Sequence, residues 1–291
     1  LVQQVRKRAS HSILLALAFI LTLLAYWIFL GGCGTKEKRC NPLDPNGECY
    51  QSPQATLIFP GNGDTLSNEN EMTFSWQGNN PHCQYSYKLG YETTYNNEPE
   101  LGWSNWTDVS EVAFSGLDEE AYIFGVKARY PSGDPQDVPS MASFYVNAFP
   151  SFSLLVKPCS TSVSLNEEIA IQITVKGIEN VMAAKFGLSF SNDLLEIVEP
   201  GVTEGALLRE NGGEVVFLHS ANNSLGKVEI DLAVAEGEPP GITGSGTLAV
   251  ITFRPKMLGV ATISFDSYDL RDMNNNPIQI ARTRNGRVSV E

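Results

Sequence analysis

Along residues 246–280 apolar and polar positions alternate with a period of two. Residues 247–253 form a β-rich run. In residues 260–265, Ala261, Ile263 and Phe265 share one side, and Thr262 and Ser264 the other. A half-buried strand requires that alternation. Pro255 and Gly259 break the chain between the two runs, and a polar loop over 266–277 leads to a short strand at 278–280. Similar runs recur upstream, at 56–59, 72–76, 85–89, 109–114, 122–130 and 142–146, with a strong turn at Gly61-Asn62-Gly63-Asp64. Beyond a linker containing Pro150 they fall near 153–158, 168–176, 184–190, 194–198, 214–220, 227–235, 246–253, 259–265, 277–280 and 286–290. Short strands at this spacing predict an all-β chain with two β-sandwich domains, over 54–147 and 152–291.

The first residues have a different pattern. Arg6, Lys7 and Arg8 precede an apolar run over 13–30, followed by Leu30-Gly31-Gly32-Cys33. A basic start, an apolar core and small residues before a cleavage point make a secretory signal over 1–32. The last four residues resemble the lipobox of bacterial lipoproteins. That resemblance implies cleavage before Cys33, lipidation of its sulfur, and an extracytoplasmic, membrane-anchored protein at the cell surface or outer membrane. An uncleaved signal anchor is the alternative, because the run approaches the ~20 residues that span a bilayer. Residues 33–53 are polar and turn-rich, as a tether would be.

Composition narrows the partners. With 18% charged and 42% hydrophobic residues the chain is globular rather than disordered. Without Arg6, Lys7 and Arg8, 17 of the 20 basic residues remain against 33 acidic ones, so nucleic acid is excluded as a partner. Besides Cys33 there are Cys40, Cys49, Cys83 and Cys159. An oxidising compartment favours a Cys40–Cys49 disulfide around a small loop, with Cys83 and Cys159 then paired or free.

The C-terminal pattern resembles a cohesin domain. The residues that carry the resemblance are Gly246, Leu248, Ile251, Thr252, Phe253, Gly259, Ile263, Phe265, Leu270 and Asp272. Val175, Ile178, Val181, Phe186, Phe190, Leu195, Glu196 and Val198 add to it upstream. Ser191-Asn192-Asp193 stands where the family often has Asp-Pro-Asn. The resemblance implies a nine-stranded jelly roll, related to certain cellulose-binding modules, that docks a calcium-loaded dockerin on an enzyme. The family's Asn-x-Asp pair falls on Ala183 and Lys185, which match neither residue and depart from ordinary dockerin specificity. Asn222 and Asn223 fall where the family has polar residues after a strand. These four are the partner-binding candidates. Residues 54–147 resemble fibronectin type III and Ig-like modules through Pro60, Phe74-Ser75-Trp76, Leu117, Tyr122, Val126 and Ala128, with Tyr122 near the tyrosine corner.

Candidate chemistry is sparse. His82 and His219 lie in no catalytic motif, and no nucleophile elbow, zinc-protease helix or phosphate loop occurs. The carboxylate runs Asp118-Glu119-Glu120 and Glu167-Glu168 are expected to be solvated turn charges rather than a glycosidase pair. Asp266, Asp269, Asp272 and Asn274 form the densest oxygen cluster, spaced as a weak calcium site would be. They lack the glycine and terminal glutamate of an EF-hand loop, and a polar turn is preferred. No cofactor is expected, calcium being carried by the partner. Trp103 and Trp106 are candidates for glycan stacking, against packing on the sandwich edge. The sequence reading is a non-catalytic lipid-anchored protein that recruits a dockerin-bearing partner linked to polysaccharide breakdown. The rivals are a module that binds carbohydrate directly and a structural envelope spacer.

Overall fold

The structure, a computed structural model, describes residues 40–67, 71–95, 102–131, 133–209, 214–236 and 241–291. The signal segment, the lipobox and Cys33 lie outside the described residues. No helix among the described residues is long and apolar enough to cross a membrane. Residues 40–52 are a run of turns closed by a Cys40–Cys49 disulfide with a Cα separation of 5.8 Å. They belong to a different compact unit from residues 53–291.

Seven strands occupy the first half of the larger unit: β1 (Ala55–Phe59), β2 (Asp64–Leu66), β3 (Glu71–Gly78), β4 (Gln84–Tyr91), β5 (Glu111–Ser115), β6 (Ala121–Arg129) and β7 (Ser140–Val146). They make one sheet in the order β1-β3-β5 and another in the order β2-β7-β6-β4. Phe74, Trp76, Phe124 and Phe144 are buried among them, with Phe74 edge-on to Phe124 at 5.0 Å and to Phe144 at 5.3 Å. Aromatic rings at this separation add a directional term to the burial of their area.

The second half holds β8 (Ser153–Lys157), β9 (Ser160–Val163), β10 (Ile169–Phe190), β11 (Leu195–Glu204), β12 (Glu214–Asn222), β13 (Lys227–Glu236), β14 (Ile242–Pro255), β15 (Gly259–Asp272), β16 (Pro277–Ile278), β17 (Arg282–Arg284) and β18 (Gly286–Val290). The expected jelly roll had nine strands. The extra segments arise where β8 and β9 part at Pro158, which has no N–H for a ladder, and where β17 and β18 part at Asn285.

β10 organises this half. Two separate strands were expected over 168–176 and 184–190, but one strand of 22 residues runs through both. Its first part pairs with β8 and β14, and its second with β13 and β15. Register shifts between Val175 and Val181 separate the two parts. Gly177 (φ 60°) sits in that stretch, where a Cβ would lie 2.5 Å from Ser151 Oγ, so only glycine fits there. The bulged stretch still buries Ile178 and Val181, and both parts of β10 feed one core with Ile171, Ile173, Phe186 and Leu188. The apolar alternation is thus carried through the bend, which is why the strand does not end there.

The polar loop expected over 266–277 is also corrected. β15 continues to Asp272, because β10 pairs with it as far as Val181–Asp272 and Leu270 is buried as a core residue.

The run Asp118-Glu119-Glu120, expected to be solvated, joins the two halves. Asp118 is 6% exposed; its carboxylate accepts from the Tyr91 hydroxyl at 2.7 Å and from Cys159 N–H at 2.8 Å. Its own N–H donates to the Tyr122 hydroxyl at 2.9 Å. Glu119 accepts from the N–H groups of Ala148 and Phe149, each at 2.6 Å, and pairs with Lys176, while Glu120 pairs with Lys157. Arg284 donates to the Leu117 carbonyl at 2.9 Å and lies over the Phe149 ring. These charges border a cleft of about 240 Å³, whose Glu119, Glu120, Lys157 and Lys176 are spent on one another. A local sequence reading misses this, because the partners lie up to 167 positions away.

Candidate functional site

β12, β13, the second part of β10 and β15 lie side by side and present one face to solvent. Their inward residues, among them Ala184, Phe186, Leu188, Ile230, Leu232 and Leu270, fill the core. The outward residues follow from the period of two and form rows across the sheet. One row runs Leu218, Asp231, Lys185, Asp269; the next runs Val216, Ala233, Ala183, Arg271. A third runs Ser220, Glu229, Gly187, Ser267.

Small residues in the middle make this face flat. Gly187, Ala183, Ala233 and Ser267 carry little side chain above the backbone. Leu218 (62% exposed) and Val216 stand along one margin, and Leu225 is exposed in the turn beyond β12. Lys185 Nζ lies 3.7 Å from Asp231 Oδ2, and both side chains are more than half exposed. Exposed aliphatic residues beside paired charges of both signs suit protein docking rather than chemistry.

The structure places the sequence-derived candidates as follows. Ala183 and Lys185 lie at the centre of the face. Asn222 and Asn223 lie at its end, where both amides serve the fold. Asn222 Oδ1 caps Leu225 N–H at 3.0 Å. Asn223 accepts from Ile197 N–H at 2.8 Å and donates to the Ile197 carbonyl at 3.0 Å, tying the turn to β11. Replacing Asn223 by alanine is expected to cost about 1–2 kcal/mol, read as a lower thermal midpoint, with partner affinity unchanged. Lost affinity at an unaltered midpoint would instead make Asn223 a contact residue.

The calcium candidates are dispersed over separate partners. Asp266 pairs with Lys227 at 2.6 Å, which together with the Ser189 hydroxyl holds its carboxyl below the usual range. Asp269 pairs with Arg271 at 2.8 Å. Asp272 accepts from the side-chain and backbone N–H groups of Asn276 and from Asn274 N–H, which lowers its carboxyl in turn. No group of three or more His, Cys, Asp or Glu among the described residues is placed to hold a metal. Extension of β15 through Asp272 is the reason: a strand points successive side chains apart.

Trp103 and Trp106 are half-buried on the other sandwich, interleaved with cations. Lys127 Nζ lies 4.4 Å from the Trp103 ring and the Arg129 guanidinium 4.4 Å from the Trp106 ring. Each ring therefore already has a cation on one face. Cys83 and Cys159, left open between pairing and free thiols, are both free and buried. Cys159 donates to the Gly116 carbonyl at 2.7 Å, in the junction between the halves.

Sequence reasoning missed Val216, Leu218 and Asp231. The signal was present in the outward positions of β12 and β13, but the order of strands in the sheet was needed to align them with Lys185.

Comparison with known proteins supplies the rest. Residues 156–290 match the family model of the cohesin domain. No curated protein matches the chain. Among solved structures, a non-cellulosomal cohesin from Archaeoglobus fulgidus is 18% identical at a TM-score of 0.40, covering 48% of this chain and 90% of that one. The sixth cohesin of Acetivibrio cellulolyticus scaffoldin B, in complex with a mutant Cel5 dockerin, is 19% identical at 0.41, covering 49% and 100%. A type I cohesin–dockerin complex from Clostridium thermocellum is 13% identical at 0.39, covering 48% and 98%.

Proposed function

We propose, with residues 156–290 carrying a cohesin domain, that this chain is a non-catalytic docking protein that binds a dockerin-type module. Cohesin domains are protein-interaction domains whose partners are dockerins. The observation that carries the reading to particular residues is the flat outward face of β12, β13, β10 and β15, with aliphatic side chains on its margin and charges of both signs between them. Ala183 and Lys185 at its centre replace the acceptor pair that the family resemblance placed there, so the partner chosen would differ from that of an ordinary cohesin.

In this reading residues 54–147 are a fibronectin type III or Ig-like spacer. The bond from Asp118 N–H to the Tyr122 hydroxyl supports it, since a tyrosine corner has that form. Lipidation at Cys33 would hold the chain at a membrane, and the partner's enzyme would act on polysaccharide outside the cell.

The test is surface plasmon resonance of the full chain against a panel of calcium-loaded dockerin modules. Ala183→Arg puts a bulky cation on the flat centre without touching the core, and is expected to weaken binding about 100-fold. Trp103→Ala is expected to leave it unchanged. If no dockerin binds, or if Ala183→Arg binds as tightly as the native chain, the reading fails.

A further inference from the structure

The cleft under Glu119 and Glu120 is built on other strands than the flat face. Its floor is the outward side of β8, the first part of β10, and β14. There Leu155 lies across the ladder from Thr174, and Thr174 from Thr247. Its roof is Glu119, Glu120 and Tyr145, from the first sandwich. Lys157 and Lys176 occupy the rows on either side of Leu155 and Thr174, and each crosses to a roof carboxylate, Lys157 to Glu120 and Lys176 to Glu119. Two ion pairs thus flank a central row that holds an apolar side chain and two hydroxyls.

Charge and free hydrogen-bonding capacity restrict what enters. Lys157, Lys176 and Arg284 balance Asp118, Glu119 and Glu120 around the cleft, so it has no net charge to offer an ion. Three donors on its walls stay uncommitted. Gln172 Oε1 accepts from the Thr247 hydroxyl at 3.1 Å, which orients the amide, and the amide NH₂ has no partner among the described residues. Ser245 Oγ accepts from Gly177 N–H at 2.9 Å and keeps its own proton to donate. Tyr145 is 44% exposed, and its hydroxyl bonds to nothing among the described residues. Burial and the charges of Glu119 and Glu120 raise that hydroxyl from its ordinary 10.0, so it remains a donor. The backbone of the floor offers no edge to a peptide, because β8 lies between β10 and β17, and the first part of β10 between β8 and β14. At about 240 Å³ the cleft is smaller than the roughly 300 Å³ at which drug-sized pockets begin.

We propose that this cleft binds one unit of a neutral saccharide, its hydroxyls on Gln172, Ser245 and Tyr145 and its apolar ring face against Leu155 and the Tyr145 ring. An uncharged ring with closely spaced hydroxyls and one apolar face meets each of these groups. So few contacts place the affinity in the millimolar range. The site is independent of dockerin binding.

Saturation-transfer NMR on the full chain, without a dockerin, tests this against cellobiose, xylobiose, mannobiose and lactose, with galacturonate as the charged probe, each at about 10 mM. At least one neutral disaccharide should bind, and galacturonate should not. Gln172→Glu keeps the side chain's shape and removes its donors, and Tyr145→Ala removes the wall; each should weaken binding at least about tenfold at an unchanged thermal midpoint. Trp103→Ala should bind as the native chain does. Dockerin binding should be unaltered by Gln172→Glu and Tyr145→Ala, so the two readings fail separately. No bound disaccharide, equal binding of galacturonate, affinity retained in Gln172→Glu and Tyr145→Ala, or affinity lost in Trp103→Ala would overturn the proposal.

Discussion

Asp118→Ala is expected to destabilise the chain by about 2 kcal/mol, because a buried donor and a half-buried one lose their shared acceptor. The Tyr91 hydroxyl and Cys159 N–H both bond to this carboxylate, at 2.7 and 2.8 Å. Cys159 N–H has no room to turn to water, since Asp118 and Cys159 are both nearly fully buried, whereas Tyr91 is half-buried. The second donor belongs to the segment between β8 and β9, so the loss is felt in both sandwiches. Urea unfolding reads the stability. Limited proteolysis between residues 147 and 153 reads the junction, where faster cleavage is expected. Asp118→Asn keeps one carbonyl acceptor and should fall between the two. A loss below about 1 kcal/mol would mean that the carboxylate merely fills space there.

Above pH 9 the native chain is expected to lose stability steeply, and the same network is responsible. Burial, with the Asp118 charge adding to it, pushes the Cys159 thiol from its ordinary 9.0 up to about 12, while Arg284 opposes the shift. Burial raises the Tyr91 and Tyr122 hydroxyls as well, again with Asp118 as the next cause. A group whose pKa is raised by folding contributes fully below its unfolded value. Its contribution is lost as the pH climbs towards the folded value. The unfolded thiol ionises from about pH 9 and the phenols from about pH 10, while the folded groups hold their protons. By pH 11 the thiol alone should withdraw about 3 kcal/mol, with the tyrosines adding to it. Unfolding free energies at pH 8, 10 and 11 test this, and Cys159→Ala should flatten the first part of the fall. Equal stability at pH 8 and 11 would refute it.

How far the sequence could be read depended on the range of the interaction. The strands around Phe74 and Trp76, and those around Ile251 and Ile263, could be placed from alternation alone, since a side chain's face in a strand depends only on its own position. The merged strand β10 could not. Gly177 and Asn180 read as a break, whereas the burial of Ile178 and Val181 carries the strand across the bend. The aspartates of β15 read as a loop because their charge is local, while the pairing that extends the strand comes from β10. Asn223 reads as a polar residue after a strand, yet its bonds to Ile197, 26 positions away, depend on the fold bringing β11 beside that turn.

The sequence by itself determined the class of the fold, the positions of most strands and the composition of both cores, because apolar burial acts residue by residue along a fixed two-residue period. Only the tertiary structure decided which outward residues share the flat face of β12, β13, β10 and β15, that Asp118, Glu119 and Glu120 clamp the halves together, and that Cys83 and Cys159 stay apart. Each of those depends on the order of strands in a sheet or on contacts across scores of residues. Local patterning leaves that order undetermined, and it emerges only when the strands close around one core.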